Sequence, residues 1–204
     1  MNKKIFLALI VFFASNAVSY SQKVIFTEDF VSPQKWKTSN SANGSMSIEK
    51  EGTESIMKIE ALEGKEFQAS IKVPALTSTA KSVWIEFDFF LNDIYNSQVI
   101  VGESPNRLWV IAEKNNTLRL AGEAIQMADG AKFLNASPNR WYKMLIKYDI
   151  QSKLATFTLD GKDSKVVDLN MQPNKSYQFT ASALTFKSLK GGSLKVKAIK
   201  ISEF

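Results

Sequence analysis

Residues 140–162 read RWYKMLIKYDIQSKLATFTLDGK, and the alternation in this stretch sets the fold class. Tyr142, Met144, Ile146 and Tyr148 take every second position, with Lys143, Lys147 and Asp149 between them. Successive strand side chains point to opposite faces, so the pattern is that of a strand with one buried face. Ile150-Gln151-Ser152-Lys153 supplies a polar turn. Leu154, Thr156, Thr158 and Asp160 then alternate with Ala155, Phe157 and Leu159, and Asp160-Gly161 stops the second strand. The stretch predicts an antiparallel hairpin.

Working outward, short alternating runs separated by turn residues recur at Val24–Phe30, Ser45–Lys50, Ser55–Ala61, Glu66–Val73, Val83–Leu91, Gln98–Gly102, Leu108–Glu113 and Thr117–Ala121. Ser164–Leu169, Tyr177–Lys187 and Ser193–Ser202 follow the hairpin. No segment carries a helical period, so an all-β sandwich or barrel is expected. Asn115-Asn116 reads as a two-residue hairpin turn, because Asn tolerates positive φ, and Gly191-Gly192 as its counterpart before the last strand. In that last strand Ile199 and Ile201 share parity with Lys195 and Lys197, which predicts a bulge near Ala198. Ser39–Gly44 and Gln126–Gly130 are loop-like and too short to join two domains.

The amino terminus reads as a signal peptide over residues 1–21. Lys3 and Lys4 form a basic start, Ile5 to Ala14 an apolar run, and Ser19-Tyr20-Ser21 puts small residues at −3 and −1 of a cut before Gln22. The run is roughly half of the ~20 residues a membrane span needs. Residues 22–204 then form one sandwich domain that is exported to the periplasm or the exterior. With no Cys among the 204 residues, its stability has to come from burial, and 14 Phe with 4 Trp make that feasible. Loss of Lys3 and Lys4 takes the formal charge from +6 to +4, a mild bias that fits a solvated lysine-rich surface and no nucleic-acid partner. No membrane span is expected in the mature chain.

The hairpin resembles the "Trp, apolar, apolar, Tyr-Asp, short turn, strand, Asp-Gly" element of laminin-G-like and concanavalin A-like lectin/glucanase sandwiches. Phe26-Thr27-Glu28-Asp29-Phe30 followed by Trp36 is similar to the opening of many secreted sandwiches, and Leu184-Thr185-Phe186, a Gly turn and a strand closing at Ile201 to their ending. The leader, closing on Ser-Gln, is similar in style to those of exported Bacteroidota proteins. The resemblance implies a two-sheet antiparallel jelly-roll in which the first and last strands pair.

Zero His and zero Cys exclude Ser-His-Asp, Cys-His and His/Cys zinc chemistry. Carboxylates remain. In Trp84-Ile85-Glu86-Phe87-Asp88-Phe89-Phe90 the odd residues are continuously apolar, so Trp84, Glu86, Asp88 and Phe90 share the other face. Retaining glucanases of the resembled fold carry E-x-D-x-x-E on such a strand, with nucleophile and acid/base about 5–5.5 Å apart. Glu86 and Asp88 match the first two positions, but Leu91 stands third; Asn92 or a bulged Asp93 are the nearest substitutes. No catalytic set is complete, so whether the chain is an enzyme stays open, with binding favoured.

Arg107, Trp109, Ile111 and Glu113 share a second parity. If their strand neighbours that of Trp84 on a concave sheet, Trp109 can stack on a sugar ring while Arg107 bonds its hydroxyls. Trp84, Glu86, Asp88, Arg107 and Trp109 are therefore the carbohydrate-binding candidates. Trp36 and Trp141 are read as packing residues, and Lys195, Lys197 and Lys200 as guards of an edge strand. Calcium is common in the resembled superfamily. Asp29, Asn92, Asp93 and Asp129 are oxygen donors without the spacing of a calcium loop, so no cofactor is expected, and structural calcium stays open without a motif to support it. Asn43, Asn115, Asn135 and Asn174 head glycosylation sequons that matter only in a eukaryotic secretory pathway. The favoured expectation is an exported, non-catalytic, lectin-like module for poly- or oligosaccharide. The alternatives are a glycoside hydrolase using Glu86 and Asp88, and an envelope structural or adhesion protein.

Overall fold

A computed structural model describes residues 21–92, 97–122, 131–169 and 181–204. Fifteen strands fill them: β1 (Lys23–Glu28), β2 (Lys37–Thr38), β3 (Gly44–Glu51), β4 (Glu54–Ala61), β5 (Glu66–Lys72), β6 (Ser82–Leu91), β7 (Ser97–Val101), β8 (Leu108–Glu113), β9 (Thr117–Gly122), β10 (Lys132–Asn135), β11 (Arg140–Asp149), β12 (Leu154–Leu159), β13 (Asp163–Asp168), β14 (Ala183–Leu189) and β15 (Ser193–Glu203). The only helical pieces among the described residues are two 3-10 turns, Pro33–Lys35 and Ser41–Asn43. None is long and apolar enough to cross a membrane.

The strands form two antiparallel sheets. The first runs β13-β12-β11-β6-β15-β4-β3, with β1 also on β15, and the second β10-β9-β8-β7-β14-β5-β2. The expected hairpin is β11–β12, in register from Met144 opposite Leu159 to Tyr148 opposite Ala155. Its turn is fixed by the Asp149 carboxylate, which accepts from the Ser152 amide (2.6 Å) and hydroxyl (2.8 Å), and by Lys153 at φ 56°. Those hydrogen bonds hold the Asp149 carboxyl below the usual carboxylate range. First and last strands pair as expected, Lys23 opposite Glu203 through Glu28 opposite Ile199. The bulge is also present: register slips between Lys197 and Lys200, with Ala198 at φ 54°.

The two inward faces meet in one apolar layer. Phe87 on β6 meets Phe186 on β14 edge-on at 5.9 Å, joining the sheets. Trp36 stacks on Phe30 at 5.8 Å and touches Phe186, so it is the packing residue expected. The Glu28-Asp29-Phe30 signature has a local cause. The Glu28 carboxylate is buried and accepts from the Phe30 amide (2.8 Å), holding Phe30 at φ 55° so that its ring enters the core.

Three expectations are corrected. The β8–β9 turn has three residues, since Glu113 pairs with Thr117, and only Asn116 has positive φ (56°). The Gly191 turn is no hairpin: β14 and β15 belong to different sheets, and the positive φ values fall on Lys190 and Gly191. Strand β15 is no edge either. It lies inside the sheet, with β6 along one side and β4 then β1 along the other. Lys195 is flanked by β6 and β4, Lys200 by β6 and β1, and Lys197 pairs with Asp88 of β6, so none of them guards a sheet edge. Strands β2 and β10 were not anticipated. Gln126–Gly130, Asp93, Asp129, Asn174 and nearly all of the leader lie outside the described residues.

Candidate functional site

The outward face of β6 carries Trp84, Glu86, Asp88 and Phe90 as expected, all half-buried. Its neighbours are set by register. Asp88 stands between Lys143 on β11 and Lys197 on β15, and Glu86 between Leu145 and Lys200. Glu86 reaches Lys200 Nζ at 3.5 Å and Lys143 Nζ at 3.9 Å. Burial pushes the Asp88 carboxyl up, while Lys143 and Lys197 pull it back. Trp84 is enclosed by Phe204 (4.4 Å between centroids) and the Lys147 ammonium (3.8 Å from the ring). Phe90 packs on Trp141 at 5.6 Å, and Lys197 lies 4.7 Å over Trp141. Lys195 and Lys197 extend the network to Glu51 (2.7 Å) and Glu54 (2.5 Å). Carboxylates on the central strand thus alternate with ammonium groups on the flanking strands; Glu86 gains cross-strand ion pairing from this, while for Asp88 burial outweighs it. Leu91, at the third glucanase position, points inward and is 2% exposed.

Strand β8 lies in the other sheet, so the expectation that β6 and β8 share a concave face is wrong. Leu108, Val110 and Ala112 face the core, which puts Trp109 on the outward face of the second sheet. The core separates it from Trp84. Arg107 stays with it, its guanidinium 5.5 Å from the Trp109 ring. Trp109 is flanked in register by Ile100 and Ala121, both buried, and its indole N–H is buried without a hydrogen-bond partner among the described residues. The five candidates therefore form two groups on opposite faces: Trp84, Glu86 and Asp88 in one, Arg107 and Trp109 in the other.

A polar pocket of about 350 Å³ opens at a corner of the sandwich where β10 and β13, the edge strands of the two sheets, approach. The diagnostic hairpin supplies much of it: Arg140 and Tyr142 from β11, then Asp160, Lys162 and Asp163 after β12. Asn115 and Asn116 of the β8–β9 turn line it together with Asn135 at the end of β10 and Ser137 just beyond. The walls are pinned by hydrogen bonds. Tyr142 Oη donates to the Ser137 carbonyl (3.0 Å) and accepts from the Ser137 amide. Asp160, at φ 51°, pairs with Arg140 and accepts from the Lys143 amide (2.9 Å), while the Ala136 amide donates to the Asn116 carbonyl (2.8 Å). The Arg140 guanidinium also lies 4.3 Å over the Tyr142 ring.

Amide, carboxylate and cationic groups converge here, so the pocket offers donors and acceptors together, as vicinal hydroxyls require. None of these residues was among the sequence candidates. The available signals were the Asp160-Gly161 stop and the Asn115-Asn116 turn, both read as structure alone. Asn115 and Asn135, two of the sequon residues, meet in this pocket. Of the calcium candidates, Asp29 and Asn92 lie within the described residues; Asp29 Oδ1 accepts from the Val31 amide (3.4 Å), and no group of three His, Cys, Asp or Glu that could hold a metal occurs among those residues.

No protein-family model and no curated protein matches the sequence. Solved structures do match. A sialidase superposes with a TM-score of 0.61 at 12% identity over 82% of this chain, which spans only 17% of the sialidase. Arcelin-5, a lectin-like defence protein from Phaseolus vulgaris, gives 0.59 at 12% identity over 90% of this chain and 98% of its own. The lectin UEA-II, solved with galactose, gives 0.58 at 10% identity over 87% and 97%. Identities this low speak for fold alone. With two antiparallel sheets and paired first and last strands, the chain has the concanavalin A-like jelly-roll fold.

Proposed function

We propose that the chain is an exported, non-catalytic, lectin-like module that binds glycan in the corner pocket between Asn115, Asn135, Arg140 and Asp163. The observation that carries this is the pocket itself, about 350 Å³ and walled by amide, carboxylate and cationic side chains on hydrogen-bonded turns. Such a volume admits one or two sugar residues, and fixed turns lower the ordering cost of binding. Likeness to lectins supports the reading by fold. Arg107 and Trp109, which stay together on the second sheet, are a secondary platform for a longer chain. Export rests on the leader at residues 1–21, and the final location is the periplasm or the exterior.

Affinity electrophoresis of residues 22–204 through gels containing soluble neutral and acidic polysaccharides tests the proposal. Retardation by at least one polysaccharide, lost in Asn115→Ala/Asn135→Ala, is expected. Unchanged mobility in every gel refutes it. Release of reducing sugar during the same incubations would favour the hydrolase reading instead.

A further inference from the structure

A second pocket, of about 570 Å³, has the opposite chemistry. It lies where β1, at the margin of the first sheet, faces β5 and β2 of the second. Phe26, Ile71, Pro74 and Ala183 give it an apolar lining, and Ser70 adds one hydroxyl. Lys35, Lys37 and Lys72 also line it, opposed by the single carboxylate of Glu103. Lys37 is in register with Ser70, two positions before Lys72, so the two lysines are diagonal neighbours roughly 7–8 Å apart along the sheet. None of the three forms an ion pair with a described residue, whereas Lys143, Lys195, Lys197 and Lys200 on the other sheet all do. Like charges gathered without partners repel, and they do so beside an apolar recess that would strengthen a pairing made there.

We propose that this pocket is a binding site for an amphipathic anion, an apolar body seated against Phe26, Ile71, Pro74 and Ala183 with its carboxylate head between Lys35, Lys37 and Lys72. Charge complementarity selects the head, and an apolar cavity with a few convergent polar groups is the usual form of a small-molecule site. The glycan pocket lies across the molecule and shares no residue with it, so the two proposals stand or fall separately.

Calorimetric titration of residues 22–204 with decanoate below its micellar range is the test, with decan-1-ol, acetate and a Lys35→Gln/Lys37→Gln/Lys72→Gln variant alongside. Decanoate is expected to saturate one site, at least tenfold tighter than decan-1-ol and with no measurable binding of acetate. The triple variant, which changes only exposed side chains, should keep its thermal midpoint and bind decanoate at least tenfold more weakly. Ala183→Phe should abolish binding by filling the recess. Absence of saturable decanoate binding overturns the proposal. So does equal affinity for the alcohol, acetate binding as tightly as decanoate, or undiminished binding by the triple variant.

Discussion

Tyr142→Phe isolates a single hydroxyl that links the diagnostic hairpin to the pocket wall. The ring is 4% exposed and stacks on Phe89 at 5.6 Å and 28°, contacts that phenylalanine keeps. What disappears is Oη, which both donates to the Ser137 carbonyl and accepts from the Ser137 amide. One ordinary hydrogen bond contributes about 1 kcal/mol net, and a partly buried amide left without its acceptor costs about 1–3 kcal/mol. Some relief comes from water, because the bond is only part-buried, so a loss of about 1–2 kcal/mol is expected. For a domain of this length that is a fall in Tm of about 2–8 °C. Urea unfolding of residues 22–204 reads the free energy, and an unchanged m-value would show that the denatured state is not the cause. Because Ser137 lines the pocket, the variant should also weaken glycan retention while leaving decanoate binding alone. A variant within about 0.3 kcal/mol of the parent would refute the claim that this hydroxyl pins the wall, since that lies below the smallest contribution expected of one hydrogen bond.

Leu91→Glu, which completes the glucanase spacing on paper, should yield no reducing-sugar release and cost more than about 3 kcal/mol in urea, because it buries a charge in the core. Gly44→Ala should destabilise by about 2 kcal/mol or more in the same assay. Its Cβ would sit 2.1 Å from the Glu60 carbonyl oxygen and 2.6 Å from Phe67 Cβ. The Thr77 amide, and to a lesser degree Lys23, hold the Glu203 carboxyl below the usual range against the opposing effect of burial. A folded-state pKa below the unfolded value of about 4.3 gives stability that is present above that pH and is lost as pH falls through the folded pKa. Glu203→Gln should therefore be less stable than the parent at pH 7, with the gap closing below about pH 4 in thermal melts. Asp88 shifts the other way through burial, so Asp88→Asn should be as stable as the parent or more so at pH 7, and lose that advantage under acid.

Strand parity was legible on β6 and β11 because each buries one face only, and the Ala198 bulge shows as a break in phase. Short edge strands were not. Strand β2 has two exposed residues, and β10 buries only Leu134, so neither offers a pattern to read. Sheet membership was equally hidden. Trp84 and Trp109 have the same parity signal, an outward aromatic between inward aliphatics, and only the long-range pairing of β6 with β11 and of β8 with β7 puts them on opposite faces. The pocket escaped for a related reason. Arg140 and Asp160 are 20 residues apart, and Asn115, in the β8–β9 turn, and Asn135, at the end of β10, belong to the other sheet, so nothing local marks them as a cluster. Lysines of β15 looked like edge guards because a terminal strand commonly lies at a sheet margin; here β1 and β4 share its far side.

A two-dimensional amide NMR titration of residues 22–204 with the polysaccharide fragment that retards it most tests the central claim directly. Saturable shifts at Asn115, Asn116, Asn135, Ser137 and Lys162, with those on β6 unmoved, are the predicted result. Shifts confined to Trp84, Glu86 and Asp88, or to the outward face around Trp109, would contradict it.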